Sequence, residues 1–282
     1  MFLCVLIFKY NYVQINQMKK IIINKAFIFV FLITVGCQGE DPEVVVNTAD
    51  DFTVLTFSDE FNTDGAPNPS IWSYDLGTGN NGWGNNEVQN YTDNSKNVRV
   101  EGGNLVITAI KEPSGSKSYS SARIKTQGKY SFKYGKIEIR AKFPTGVGTW
   151  PAVWSLGSNI NTVSWPACGE IDFVEHVGKQ QNKIFGSLHY PGNSGGNAVS
   201  GSKIISNAST EFHIYKVIWN SNTIRFYVDD ILYKTAPNAS TLPFNQDFFL
   251  IANVAMGGNF GGPVESGFSQ SSMEIDYIRI YQ

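Results

Sequence analysis

Beyond residue 50 this chain offers strand signals in quick succession and no helical run of convincing length. Stretches with strand composition stand at Val98–Val100, Leu105–Ile110, Ala122–Thr126, Lys136–Phe143, Ala152–Leu156 and Glu170–Glu175. Others follow at Lys183–His189, His213–Trp219, Thr223–Val228, Ile231–Lys234, Asp247–Val254 and Met273–Tyr281. Turn clusters such as Glu101-Gly102-Gly103-Asn104 and Asn220-Ser221-Asn222 separate them. Many short strands at this spacing point to an all-β sandwich or barrel. Ile137-Glu138-Ile139-Arg140 alternates apolar with polar, as a half-buried strand does. No internal repeat or linker appears, so residues 51–282 read as one domain.

One of these strands carries unusual chemistry. Gly169-Glu170-Ile171-Asp172-Phe173-Val174-Glu175-His176 crowds three carboxylates into an apolar segment. Strand neighbours alternate faces, so Glu170 and Asp172 share one and Glu175 should point the other way. One extra residue bulged out between Asp172 and Glu175 brings Glu175 back. Extended chain places the two Glu Cα atoms about 13–16 Å apart. Side chains leaning together bring the carboxyls to about 5–6 Å, the range of a retaining glycosidase. Trp150, Trp154 and Trp165 lie upstream, and His189 and Tyr190 downstream. Acids among aromatics suit a sugar cleft, where ring faces stack on pyranose rings.

A net charge of −2 supplies no electrostatic reason to expect nucleic acid or an anionic membrane as partner. Of Cys4, Cys37 and Cys168, only Cys168 falls in the expected domain, so that domain must rely on its core rather than on a disulfide. The N-terminal region reads as a targeting segment, residues 1–37, with Met18 as the expected true start. Met18-Lys19-Lys20 opens a basic region, and an apolar run, Ala26 to Val35, precedes Gly36-Cys37. The run is short for a membrane span. The small residue before Cys37 is similar to a bacterial lipoprotein box, although Thr34 stands where Leu is usual. Residues 38–50 read as a flexible tether. The expected destination is export, as an outer-membrane lipoprotein facing the cell surface or periplasm, and the expected state is a monomer.

The ordered segments together resemble glycoside hydrolase family 16, and within it bacterial laminarinase-like endo-β-1,3-glucanases. The resemblance runs from Phe57-Ser58-Asp59-Glu60-Phe61 to Tyr281. It is carried by Gly82-Trp83-Gly84-Asn85-Asn86-Glu87, Ser121-Ala122-Arg123-Ile124, Tyr134–Glu138, Trp150-Pro151-Ala152-Val153-Trp154, Trp165–Gly169 and Leu188–Gly192. The hexapeptide Glu170–Glu175 has the longer, bulged form of the signature. The resemblance implies a concanavalin A-like β-jelly-roll: two stacked antiparallel sheets, the concave one forming a substrate cleft. It implies retaining, endo-acting hydrolysis of a β-linked polysaccharide, with no cofactor in the chemistry.

By position in the motif, Glu170 matches the nucleophile, Glu175 the acid/base and Asp172 the assisting carboxylate. Glu175 is expected to titrate above Glu170, pushed there by neighbouring negative charge. Asn86, Glu87, Arg123, Trp150, Trp154, Trp165 and His189 match substrate-contacting positions. Trp72 and Trp219 read as core, and His176 should point away from the cleft. A structural Ca²⁺ is implied at Glu60, Gly103 and Asp276, through backbone carbonyls and the Asp near the C-terminus. One departure is Phe260, where many laminarinases carry Trp. Alternatives stay open: the same mechanism on mixed-linkage β-1,3-1,4-glucan or on a galactan such as agarose, porphyran or carrageenan, or a glucan-binding module without catalysis.

Overall fold

The structure, a computed structural model, describes residues 52–282. The expected targeting segment and tether lie outside the described residues. Seventeen strands follow in chain order. The first six are β1 (Leu55–Asp59), β2 (Ser73–Asp75), β3 (Gln89–Tyr91), β4 (Val98–Glu101), β5 (Asn104–Ser114) and β6 (Lys117–Ser121). Then come β7 (Arg123–Lys125), β8 (Gly135–Lys142), β9 (Thr149–Gly157), β10 (Glu170–His176), β11 (Lys183–His189) and β12 (Val199–Ile204). The last are β13 (His213–Trp219), β14 (Thr223–Val228), β15 (Ile231–Pro237), β16 (Phe248–Met256) and β17 (Gln270–Tyr281).

These form two sheets. A ten-stranded sheet runs β15-β14-β13-β8-β17-β5-β6-β3, with β1 also on β17 and β4 also on β5. A seven-stranded sheet runs β12-β11-β10-β9-β16-β7-β2. β10 packs across from β13, and β16 across from β5 and β6. This is the expected jelly-roll, with one correction: β3 and β6 pair in parallel. Five strands had no sequence signal. β2 and β3 are three residues long, β1 and β6 are short, and β12 is a Ser/Gly-containing edge.

Alternation explains the packing. β8 reads buried at Gly135, Ile137, Ile139 and Ala141, with Lys136, Glu138, Arg140 and Lys142 outward. Its apolar face meets Ile171, Phe173 and Val174 of β10 in one core between the sheets. Trp72 and Trp219 are buried there, as read from sequence. Burying each such side chain contributes about 1.5–3 kcal/mol. A smaller cluster of Leu156, Cys168, Phe249 and Ile251 forms separately, with Trp154 and Ile160 against it. Leu156, Phe249 and Ile251 point to the opposite face of the seven-stranded sheet from that main core. Residues 158–169 connect β9 to β10 and supply Ile160 and Cys168 to that cluster. Val54 and Gln282 exchange backbone hydrogen bonds, Val54 N to Gln282 O at 3.2 Å and Gln282 N to Val54 O at 2.8 Å.

Candidate active site

Strand register assembles the site. Directly paired residues share a face, so each ladder row shows which side chains stand side by side. One row reads Asp75, Arg123, Asn253, Ala152, Glu175, Phe185. The next reads Lys125, Ile251, Trp154, Asp172, Ser187, Ser200. A third reads Phe249, Leu156, Glu170, His189. All three carboxylates therefore lie on the outer face of the seven-stranded sheet. The expected bulge makes this possible. Asp172 pairs with Ser187 but Glu175 pairs with Phe185, so β10 spends three steps where β11 spends two. The extra residue sends Phe173 and Val174 both into the core and returns Glu175 to the outer face.

The indoles anchor the acids. Trp165 Nε1 donates to Glu170 Oε2 at 2.8 Å, and Trp150 Nε1 donates to Glu175 Oε1 at 3.0 Å. Ser187 Oγ donates to Glu175 Oε2 at 3.2 Å. Trp165 is 45% exposed, so this side of the site is open to solvent. Phe260 packs edge-on against Trp150 and Phe185, at ring distances of 5.6 and 5.1 Å. It thus completes the wall beside Glu175.

His189 faces the acids directly. Its Nε2 lies 3.0 Å from Asp172 Oδ2 and 3.6 Å from Glu170 Oε1. The backbone N–H of Gly195 donates to His189 Nδ1 at 3.0 Å. That bond occupies the Nδ1 lone pair, so in the neutral ring the proton sits on Nε2, the nitrogen nearer the carboxylates. Glu170, Asp172 and His189 are close enough to share an ion. A metal ligand needs a free Nε2 lone pair, however, and the Gly195 bond makes Nε2 a donor. His176 has the opposite fate: it is buried and stacked on Phe143, as expected of the other face.

Burial pushes all three carboxyls up. Glu170 rises well above its ordinary value through burial and the Asp172 charge, against the pull of His189 and Trp165. Asp172 rises well above through burial and the Glu175 charge, against a hydrogen bond with Glu170. Glu175 is raised by burial and held back by Trp150, His189 and Ser187. The sequence leads one to expect neighbouring charge to lift Glu175 above Glu170, whereas Glu170 and Asp172 are the acids raised well above their ordinary values. Burial is the larger cause, and it acts on the cluster as a unit.

The remaining expected contacts divide. Trp154 stands beside Asp172, with its Nε1 donating to Asn253 Oδ1 at 2.7 Å. Arg123 is not a free donor at the rim. Its Nε lies 2.9 Å from Asp75 Oδ2, and its guanidinium is sandwiched between Trp83 and Trp154, 4.7 and 4.8 Å from the ring centroids. Asn86 is exposed and bridges to Asn259 at 2.9 Å, joining two rim loops. Glu87 lies beneath the rim, only 5% exposed, where its Oε2 accepts from Gln89 Nε2 at 2.6 Å and Tyr91 Oη at 3.2 Å. Trp83, Tyr91 and Asn253 were not singled out as site residues. The Gly-Trp-Gly loop was the only local hint of them.

The expected calcium ligands lie elsewhere. Glu60 follows β1, Gly103 is in the β4–β5 turn, and Asp276 is at a bulge in β17. Arg279 holds both carboxylate oxygens of Glu60 at 2.8–2.9 Å, and Arg140 holds Asp276 at 2.5 Å. Arg140 thus pairs with the one expected side-chain ligand, Asp276, whereas the ligands expected of Glu60 and Gly103 are backbone carbonyls, which these ion pairs do not involve.

Fold and site together define a carbohydrate-cleaving jelly-roll, and the comparisons agree. The model of glycosyl hydrolases family 16 matches residues 85–279, and the chain belongs to that family. It is 39% identical to a beta-glucanase of Rhodothermus marinus, over 94% of this chain and 96% of that relative. The laminarinase structure from Rhodothermus marinus is 41% identical, with a TM-score of 0.77 over 81% of this chain and 97% of that one. A laminarinase from Flavobacterium sp. UMI-01 is 44% identical, with a TM-score of 0.75 over 81% of this chain and 100% of that one.

Proposed function

We propose that this chain is a retaining endo-β-1,3-glucanase that cleaves laminarin-like glucans by double displacement. The observation that carries the reading is the bulge in β10, which sets Glu170, Asp172 and Glu175 on one tryptophan-lined face. The beta-glucanase and laminarinase relatives support the choice of polymer.

Glu175, raised by burial, holds the proton that the leaving oxygen takes. Glu170 attacks the anomeric carbon as its C–O bond breaks, forming the glycosyl-enzyme. Glu175 then deprotonates the water that releases the sugar. For Glu170 to react as an anion, the cluster's other proton must reside on Asp172. From there it hydrogen-bonds Glu170, while Asp172 Oδ2 faces the His189 N–H. Trp165 stabilises the same anion from the other side.

The test is release of reducing ends from laminarin, mixed-linkage β-glucan and agarose by the full chain, beside Glu170→Gln. Strong release from laminarin, absent in the variant, supports the reading. Release only from another polymer replaces the substrate, and binding without release makes the chain a binding module.

We also propose export, with Cys37 as lipid acceptor and the enzyme acting as a monomer. The basic Met18–Lys25 region, the apolar run and Gly36-Cys37 support the anchor. Loss of radiolabelled palmitate incorporation in Cys37→Ala checks it, and equal labelling would remove Cys37 from the proposal.

A further inference from the structure

Glu87 is a buried carboxyl that the proposed reaction does not use. It is the outer member of a chain of contacts that ends on the cleft face. Tyr91, 1% exposed, donates its hydroxyl proton to Glu87 Oε2 at 3.2 Å, and its own Oη accepts from Asn253 Nδ2 at 3.1 Å. Asn253, 6% exposed, accepts from Trp154 Nε1 at 2.7 Å. The chain closes on itself through aromatic faces. Tyr91 packs on Trp83 at 5.7 Å, and Arg123 lies between Trp83 and Trp154. Tyr91, Trp83, Arg123, Trp154 and Asn253 thus form a ring of side chains with Glu87 bonded to it. Gln89 fixes Glu87 in turn, and its own Oε1 accepts from the Met256 backbone N–H at 2.7 Å.

Each polar member is directional. The Asn253 carbonyl can accept from Trp154 only if its amide group points at Tyr91. The Tyr91 hydroxyl can accept there only if its proton goes to Glu87. The sense of the whole chain is therefore set at Glu87, an acceptor when ionised. Its output is the orientation of one indole, paired across β9 and β10 with Asp172.

We propose that Glu87, Tyr91 and Asn253 are positioning residues that hold the Trp154 indole in its orientation on the cleft face, and so set substrate affinity rather than the chemical step. The choice of laminarin as probe rests on the glucanase reading. Tyr91→Phe removes one hydroxyl and keeps the ring on Trp83. In the full chain it should raise KM for laminarin about three- to tenfold, with kcat changed less than about twofold. It should also shift the indole N–H resonance that disappears in Trp154→Phe. Glu87→Leu removes the acceptor and should raise KM as Tyr91→Phe does, and the conservative Glu87→Gln, which keeps an acceptor for Tyr91, should reverse most of that rise.

The decisive arm repeats Tyr91→Phe in a Trp154→Phe background, which has no indole N–H to position. There the KM effect should vanish. An equal KM rise in both backgrounds, or an unmoved resonance, overturns the proposal. Should Tyr91→Phe not fold, Asn253→Ala is read in the same two backgrounds. If the parent chain does not turn over laminarin, the glucanase reading falls, and the resonance alone decides the relay.

Discussion

β8 and β10 are strands of eight and seven residues in opposite sheets, and they treat charge in opposite ways. β8 sends Lys136, Glu138, Arg140 and Lys142 outward, where each has a partner: Lys136 with Glu138, Arg140 with Asp276, Lys142 with Glu274. Those pairs stay hydrated. β10 also sends its charges outward, but indoles, His189 and the loop from β9 cover them. Asp172 is 3% and Glu175 7% exposed. One surface sets its carboxylates among cations and water. On the other, burial pushes the carboxyls above their ordinary values. The difference is one of cover, since both strands obey the same alternation.

The largest expected effect tests the covered side. Glu170→Gln should lower kcat on laminarin by about 10⁴-fold, measured by reducing-end release. Trp150→Phe comes next. It removes the donor to Glu175 while keeping a ring against Phe260, and kcat/KM should fall about tenfold. Trp150 holds the Glu175 pKa down, so its loss should move the alkaline limb of the pH–rate profile to higher pH. A profile that does not move would detach Trp150 from the acid.

Stability against pH sharpens the comparison further. The folded pKa of Glu170 lies above its unfolded value. Its favourable contribution is therefore present below the unfolded value and is lost as pH rises through the folded one. Thermal melts should show Glu170→Gln gaining on the parent as pH rises from acid to neutral. Glu60 is the mirror case: Arg279 holds its pKa below the ordinary value. Its contribution is present above the unfolded value and is lost as pH falls through the folded one. Glu60→Gln should cost less than about 1 kcal/mol at neutral pH, because the pair is solvent-accessible, and nothing in strong acid. Parallel pH trends in the two variants would break the contrast.

Much of this was legible in the sequence because it is local. β8 announces itself by alternation, and β10 by three acids whose spacing demands a bulge. The tryptophans at 150 and 165 sit close enough in sequence to the acids to be placed beside them, but their hydrogen bonds to Glu175 and Glu170 have no sequence signal. What escaped is long-range. Tyr91 of β3 and Asn253 of β16 belong to different sheets and stand 162 positions apart in sequence, and neither has a motif of its own. The family resemblance puts Glu87 at the cleft rim, just after the Gly-Trp-Gly loop. That its side chain turns under the loop depends on Gln89 and Tyr91 being there to receive it. β12 was invisible because an edge strand packs on one side only and can be built from Ser and Gly. The ion pairs of Glu60 and Asp276 are equally long-range: Arg279 and Arg140 come beside them only once β1, β8 and β17 are aligned.

The mutual backbone bonds of Val54 and Gln282 carry one more consequence. The two ends of the described domain are stitched side by side into the ten-stranded sheet, as if the polypeptide were almost a closed loop. Joining them with a few residues and reopening the chain at the exposed Asp229-Asp230 turn would leave every strand in register. The fold is indifferent to where its string is cut. The cleft, built from β9, β10, β11 and β16 in the other sheet, would be unaware of the change.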